Sequence, residues 1–191
     1  MSATVRRALF HVLTVASIAV AALFAPEYIF LTVLTAIGAS FLTFELLRLK
    51  FAYPRKWFYR LFGRFVREEE ARRPTGASYT LMASLIVFHL FPSDIAILAF
   101  IFMAIGDPVA TLVGTYLGRI RIHDKTLEGH LACFGTCVLT GYIYTHLVTP
   151  ISPALIIAGS MGATIGEALP HRLNDNLTMP ILAAGAMLLP Y

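Results

Sequence analysis

Two polar segments interrupt an otherwise apolar chain, and they carry side chains able to bind a phosphate group and a divalent cation. Asp107 follows Gly106 inside a long apolar run, and the sequence DKTLEG follows at 124–129. Lys125 offers an ammonium group, which binds phosphate as a point charge. The carboxylates of Asp107 and Glu128 are oxygen ligands of the kind that Mg²⁺ takes beside phosphate oxygens. The segments predict a site for a phosphorylated ligand and its metal, with both acids as metal ligands.

The predicted helix that contains Asp107 has a face of small residues. Positions 107, 110, 111, 114 and 118 share one helical face, and they are Asp, Ala, Thr, Gly and Gly. Small residues allow membrane helices to pack closely. Close packing explains the glycines but not the acid, because ionisable groups inside a bilayer are costly and tend to mark function. We therefore expect the backbone at Gly114 and Gly118 to approach an anionic ligand.

A third polar segment, residues 166–180, has the sequence GEALPHRLNDNLTMP. It contains Glu167, Asp175, Asn176 and Thr178. An acid or amide at a helix start is a common cap, so this segment alone is explained as a capped turn. Its predicted position on the same side of the chain as the first two segments indicates a shared site.

These polar segments connect apolar stretches that are typical of membrane helices. The chain of 191 residues is 58% hydrophobic and 14% charged, whereas soluble domains are nearer half apolar and a quarter charged. A membrane-spanning helix needs about 17–25 residues. We predict an all-α fold, a polytopic membrane helix bundle that forms one domain over residues 1–191. The predicted spans are 8–25, 28–47, 77–92, 94–117, 130–149, 153–169 and a short one at 177–190.

The basic residues predict the orientation of this bundle. Segment 54–70 has apolar residues at helical spacing with arginines between them, which predicts an amphipathic helix on the membrane surface. All 15 Lys and Arg residues lie in segments 1–7, 48–76, 118–129 and 170–176. With seven spans these segments share one side, which the positive-inside rule makes cytoplasmic. We therefore predict a multi-pass protein of a prokaryotic cell membrane, with the N-terminus and the site in the cytoplasm and no nucleic acid partner.

Three further sets of residues are candidates for the same site. Glu45 and Arg48 lie at the end of the second predicted span, and Arg67 and Glu70 lie at the end of the amphipathic segment. A patch that binds anionic lipids explains these four residues equally well. His11, in the first span, is by itself more often a structural histidine.

In their order along the chain, these segments resemble the CTP-dependent lipid-alcohol kinases. This family includes dolichol, phytol and farnesol kinases and the yeast-type diacylglycerol kinase. The resemblance covers nearly the whole chain, and its most specific residues are Gly106, Asp107, Ala110, Gly114, Gly118, Lys125, Thr126, Leu127, Glu128, Gly129, Glu167, Asp175, Asn176, Leu177, Thr178 and Pro180. Phosphatidate cytidylyltransferases share the Asp-to-Lys-Thr-x-Glu-Gly block. They end in a His-Gly-Gly pattern followed by Asp-Arg and Asp, and this chain has NDNLT at 174–178 instead.

The resemblance implies CTP as the phosphoryl donor, Mg²⁺ as the cofactor and a membrane lipid alcohol as the acceptor, either a polyprenol or dolichol-type alcohol or diacylglycerol. The implied nucleotide- and phosphate-binding residues are Arg67, Gly106, Gly114, Gly118, Lys125, Thr126, Gly129 and Asn176. The implied catalytic residues are Asp107, Lys125, Glu128 and Asp175, of which Asp107, Glu128 and Asp175 bind the metal. The remaining candidates are His11, Glu45, Arg48, Glu70, Glu167 and Thr178. Two alternatives stay open, a cytidylyltransferase that makes a CDP-lipid and a non-enzymatic membrane transporter or lipid-binding protein.

Overall fold

A computed structural model describes residues 3–62, 73–169 and 174–188, and these ranges form an all-helical bundle. Its helices are α1 (Ala3–Phe24), α2 (Glu27–Lys50), α3 (Ala52–Phe62), α4 (Gly76–Leu90), α5 (Ser93–Tyr116), α6 (Leu127–Leu147), α7 (Pro153–Ala168) and α8 (Asp175–Leu188). A small antiparallel hairpin, β1 (Arg121–Ile122) and β2 (Lys125–Thr126), connects α5 to α6. The predicted all-α class is therefore confirmed.

Each apolar segment predicted from the sequence coincides with one helix, within a few residues at each end. Residues 54–62 of the amphipathic segment lie in α3, and Arg67 and Glu70 lie outside the described residues. Among the described helices, α2 and α5 are long and apolar enough to cross a membrane. The larger number of spans and the orientation of the bundle stay predictions.

Helix α5 lies at the centre of the bundle and contacts α1, α6, α7 and α8. From Ile95 to Ala104 every residue except Ile101 is buried. A helix that is apolar on all sides is typical of a protein core or of a membrane span. The second half of α5 has more exposed residues, and this is the half that carries Asp107 and the small-residue face. The central helix therefore places an acid where the core meets the polar end of the bundle.

Helices α7 and α8 approach each other closely because α7 presents glycines to its neighbour. A Cβ atom added to Gly162 would lie 2.3 Å from the carbonyl oxygen of Leu182. A Cβ atom added to Gly166 would lie 2.6 Å from the Cα of Met179. These contacts are with backbone atoms, which cannot rotate away as a side chain can. Glycine at these positions thus holds the first half of α8 against the end of α7.

A buried ion pair joins α2 to the start of α4. Arg48 donates to both carboxylate oxygens of Glu45, at 2.7 and 2.8 Å, and Glu45 accepts from the backbone N–H of Thr75 at 2.7 Å. Arg48 also donates to the carbonyl of Arg73 at 3.0 Å and lies over the ring of Phe58, 4.6 Å from its centroid. Buried charges need such partners, because leaving one unpaired is strongly destabilising. The pair therefore fixes both α3 and the start of α4 to α2.

A methyl group added at position 162 tests the contact between α7 and α8. We expect Gly162→Ala to destabilise the protein by about 1–3 kcal/mol, because overpacking forces backbone atoms apart. The measurement is the apparent melting temperature in detergent. The matched control is Gly135→Ala on α6, where an added Cβ meets nothing within 4 Å. Replacing a helical glycine there leaves stability unchanged or raises it by up to about 1 kcal/mol. Equal melting temperatures for the two variants would contradict the described packing.

Candidate functional site

A cavity of about 500 Å³ lies where α5, the β1–β2 hairpin, α7 and α8 meet. Cavities of about 300–1,000 Å³ are typical of sites for small molecules. Its lining residues are Ala110, Thr111, Gly114, Thr115, Gly118, Arg121, Asp124, Lys125, Thr126, Gly129, Glu167 and Asp175. Residues from the three polar segments of the sequence therefore line one cavity, although Asp107 itself does not.

Lys125 lies at the centre of the polar contacts in this cavity. Its Nζ is 2.8 Å from Oε1 of Glu167 and 3.1 Å from Oδ2 of Asp175. It also donates to the backbone carbonyl of Glu167 at 2.5 Å. That carbonyl is in the last turn of α7, where carbonyls lack helical partners and the helix dipole favours a cation. An ammonium group has three N–H donors, so these three acceptors match its capacity.

The surroundings of Lys125 keep it charged. Burial disfavours its ammonium form, but the carboxylates of Asp175 and Glu167 outweigh that effect and raise the pKa of Lys125 above its usual value. The charge of Asp107 acts in the same direction. Since the pKa is raised in the folded state, the ion pairs stabilise the fold at neutral pH. That stabilisation is lost only as the pH rises through the raised pKa. Lys125 is thus a cation throughout the physiological range.

Behind Lys125, His130 contacts the second carboxylate oxygen of Glu167. Nδ1 of His130 lies 2.5 Å from Oε2 of Glu167, and the two residues are only 7% and 3% exposed. Within the described part of the chain, Nε2 of His130 has no hydrogen-bond partner. His130 was not predicted as a site residue, because its partner lies 37 residues away in the sequence and no local spacing connects the two.

Asp107 is not among the residues that line the cavity. Its carboxylate is 3.6 Å from Nε2 of His11, which is also 3.4 Å from the carbonyl oxygen of Met103. Both side chains are mostly buried. The candidate His11 therefore lies beside the candidate Asp107 and joins α1 to the central helix. Asp107 is one helical turn from Ala110, which does line the cavity.

The predicted glycines serve helix packing as well as the cavity wall. A Cβ atom on Gly118 would lie 2.6 Å from Cγ2 of Thr126. A Cβ atom on Gly129 would lie 2.9 Å from the carbonyl oxygen of Ala110. The hairpin and the start of α6 thus approach α5 more closely than larger residues would allow. These contacts support the packing explanation of the small-residue face, and the approach of an anionic ligand to Gly114 and Gly118 stays a prediction.

Glu128 points away from the cavity. Its two carboxylate oxygens accept from the backbone N–H of Ile120, at 3.2 and 3.3 Å. Hydrogen bonds from its own backbone N–H and from those of Arg119 and Ile120 lower the pKa of the Glu128 carboxyl. Thr126 caps the start of α6 by accepting from the N–H of Gly129. Glu128 therefore closes the hairpin onto α6, and its predicted metal-binding and catalytic roles stay predictions.

Several other candidates also lie outside the cavity lining. Gly106 packs against side chains of α6 and α8. Asn176 donates to a backbone carbonyl at the start of α4 at 3.2 Å, and Thr178 donates to one in α7 at 2.8 Å. Glu45 and Arg48 form the buried ion pair between α2 and α4. These contacts hold in place the helices that carry the lining residues.

Two charged lining residues were not singled out in the sequence. Both come from the hairpin, Arg121 from its first strand and Asp124 from the turn between the two strands. The sequence could have indicated them, because both belong to the same polar segment as Lys125. A strand pair places alternate residues on opposite faces. Because the segment was predicted as a loop, the sequence did not indicate which of its side chains face the site. The cavity thus has a second basic side chain and an additional acid.

The carboxylates fit a metal ion that arrives with a phosphate group. In residues 3–62, 73–169 and 174–188, no three His, Cys, Asp or Glu side chains are grouped closely enough to hold a metal ion. A nucleotide-bound Mg²⁺ needs only one or two protein carboxylates, since phosphate oxygens and water complete its coordination. Asp124 and Asp175 supply carboxylates at the cavity, with Asp107 one turn behind. The donor set suits Mg²⁺ shared with a ligand.

Comparison with known proteins gives two distant relatives. The chain is 27% identical over 165 residues to an uncharacterized protein of Rickettsia prowazekii (strain Madrid E), covering 83% of this chain and 81% of that protein. It is 26% identical over 153 residues to CTP-dependent diacylglycerol kinase 1 of Schizosaccharomyces pombe, covering 71% of this chain and 70% of the kinase. No family model and no solved structure matches the chain.

Two substitutions at Glu128 test whether it closes the hairpin or binds metal. Glu128→Gln retains an acceptor for the Ile120 N–H, so we expect its apparent melting temperature in detergent to match that of the wild-type protein. Glu128→Ala removes that acceptor and is expected to lower the melting temperature, because the hydrogen bond to the Ile120 N–H is lost. Both variants are measured with and without Mg²⁺. Stabilisation by Mg²⁺ of the wild-type protein, but not of the glutamine variant, would instead establish the metal role.

Proposed function

We propose that this chain is a CTP-dependent lipid-alcohol kinase, which transfers the γ-phosphate of CTP to the hydroxyl group of a membrane lipid. The observation that carries the proposal is the cavity in which a charged lysine meets carboxylates at the polar end of an apolar helix bundle. The distant similarity to a CTP-dependent diacylglycerol kinase supports lipid kinase function in general. The choice of CTP rests on that similarity and on the sequence resemblance.

Phosphoryl transfer depends mainly on positioning and on neutralisation of charge. Lys125 and Arg121 are the cations in the cavity lining. Because acceptors already match the donors of Lys125, an arriving phosphate must replace one of them. The side chain of Asp175 is 31% exposed, whereas that of Glu167 is 4% exposed. Asp175 is therefore the partner that gives way, and Glu167 keeps its contact.

The displaced carboxylate of Asp175 then lies beside the bound phosphate, where it can accept the proton of the lipid hydroxyl group. The lipid hydroxyl oxygen bonds to the γ-phosphorus, and the bond from that phosphorus to the β–γ bridging oxygen breaks. CDP leaves with the electron pair, and the hydroxyl proton passes to Asp175 as general base. Mg²⁺, held by Asp107 or Asp175 together with phosphate oxygens, would neutralise charge on the transferred group. Lys125 would bind the same phosphate group through its ammonium.

The acceptor belongs to the apolar side of the bundle. Helices α2 and α5 satisfy the length and composition of membrane spans, and large apolar side chains are exposed on α1 and α2. A lipid tail beside these helices would bring its hydroxyl group to the level of the cavity. We propose a multi-pass protein with a cytoplasmic site. The acceptor is a polyprenol, a dolichol-type alcohol or diacylglycerol.

The position of a radioactive label distinguishes the candidate reactions. Purified protein in detergent is incubated with Mg²⁺ and a panel of polyprenol, geranylgeraniol, diacylglycerol and phosphatidate. CTP labelled on the γ-phosphate and CTP labelled on the α-phosphate are used in parallel, and γ-labelled ATP tests the choice of nucleotide. We expect lipid product labelled only from the γ position of CTP. Label from the α position would establish a cytidylyltransferase, and absence of labelled lipid with every acceptor would favour a transporter or lipid-binding protein.

The role of Asp107 is tested by a substitution that preserves its shape. We expect Asp107→Asn to reduce kcat at least about 10²-fold, because even outer-shell partners of a metal contribute about 10–100-fold. The matched control is Asp94→Asn at the other end of the same helix, which should retain activity. Melting temperatures of both variants show that they are folded. Near-normal turnover in the Asp107 variant would exclude the metal-ligand role.

A further inference from the structure

The buried pair of His130 and Glu167 has no part in the chemistry described above, yet it lies directly behind Lys125. Glu167 uses one carboxylate oxygen for Lys125 and the other for Nδ1 of His130. The three side chains form a continuous row from the interior of the bundle to the cavity. Lys125 and Glu167 line the cavity, and His130 does not.

The geometry of Glu167 depends on both of its partners. A carboxylate that is only 3% exposed needs hydrogen bonds to compensate for its lost hydration. Lys125 alone would leave Oε2 without a donor, and the carboxylate would turn toward whatever donor it could reach. The contact with His130 fixes this rotation and keeps Oε1 directed at Lys125.

His130 is well suited to serve as a fixed anchor. It follows Gly129, whose close contact with the Ala110 carbonyl holds the first turn of α6 against α5. Among the described residues, Nε2 of His130 has no hydrogen-bond partner, so the polar contact of its ring is the one that Nδ1 makes with Glu167. The packing of α6 against α5 therefore fixes His130, which in turn fixes Glu167 and, through it, Lys125.

We propose that His130 is a positioning residue, which holds Glu167 so that Lys125 is directed at the phosphate in the cavity. The inference rests on the proposed function, because it assigns the phosphate to Lys125. It adds a residue that contacts neither nucleotide nor lipid.

Two substitutions of similar size separate hydrogen bonding from packing. In His130→Asn the side-chain N–H takes the place of Nδ1–H and still donates to Glu167, whereas His130→Leu fills the space without a donor. We expect the leucine variant to lower kcat roughly 10- to 100-fold, because small misplacements of a binding group reduce rates on that scale. The KM for the lipid should stay unchanged, and the asparagine variant should recover most of the activity. Equal activity of the two variants would overturn the proposal.

A double-mutant cycle distinguishes a positioning role of His130 from a purely structural one, because only a positioning role depends on Lys125. If His130 acts through Lys125, adding His130→Leu to Lys125→Met causes no further loss of activity or of Mg–CTP affinity. Independent effects would instead multiply and contradict the proposal. If the leucine variant does not fold, His130→Gln replaces it. The side-chain N–H of glutamine lies near the position of Nε2 and not of Nδ1, so this variant also lacks the donor to Glu167. Wild-type protein without γ-phosphate transfer would refute the proposed function itself, whereas active wild-type protein with a multiplicative cycle would refute this inference alone.

Discussion

A cation that is partly buried requires compensating charge, and this requirement at Lys125 organises the polar end of the bundle. The ammonium group comes from the hairpin before α6, and its acceptors come from the end of α7 and the start of α8. These three segments are distant in sequence. Their ion pairs are stable only if all three helices end at the same level. The cavity therefore lies where the ammonium group of Lys125 meets its acceptors from α7 and α8.

Close helix packing makes this arrangement possible. An ion pair holds its geometry only when the backbones that carry it are fixed, and glycines fix them here by allowing backbone contact. Gly166 brings α8 against the end of α7, and Gly129 brings α6 against α5. Gly129, which belongs to the residues that carry the family resemblance, is thus also a residue that permits packing. In a membrane environment, where burial of apolar surface does little to join helices, such contacts are a main source of association.

The sequence predicted the helices well because a run of apolar residues bounded by polar turns has few alternatives. It also predicted that Lys125, Glu167 and Asp175 share a site, since polar groups in an apolar chain gather at one end. It did not predict that Glu128 turns to the Ile120 N–H, because side-chain direction depends on the hairpin. The contact between His130 and Glu167 was likewise out of reach, since it exists only when α6 and α7 are packed. Arg67 and Glu70 lie outside the described residues and stay predictions.

The two carboxylates that contact Lys125 differ in burial, so that one can anchor the lysine and the other can be displaced. Glu167 is buried and hydrogen-bonded on both oxygens, so moving it would leave a charged group unpaired inside the bundle, at a cost of several kcal/mol. Asp175 is more exposed and lies in the first turn of α8, where water can replace its lost contact. A phosphate group bound as proposed would therefore displace Asp175 and leave the contact between Lys125 and Glu167 in place. A lysine held by one fixed and one replaceable carboxylate can bind an anion without losing its own position.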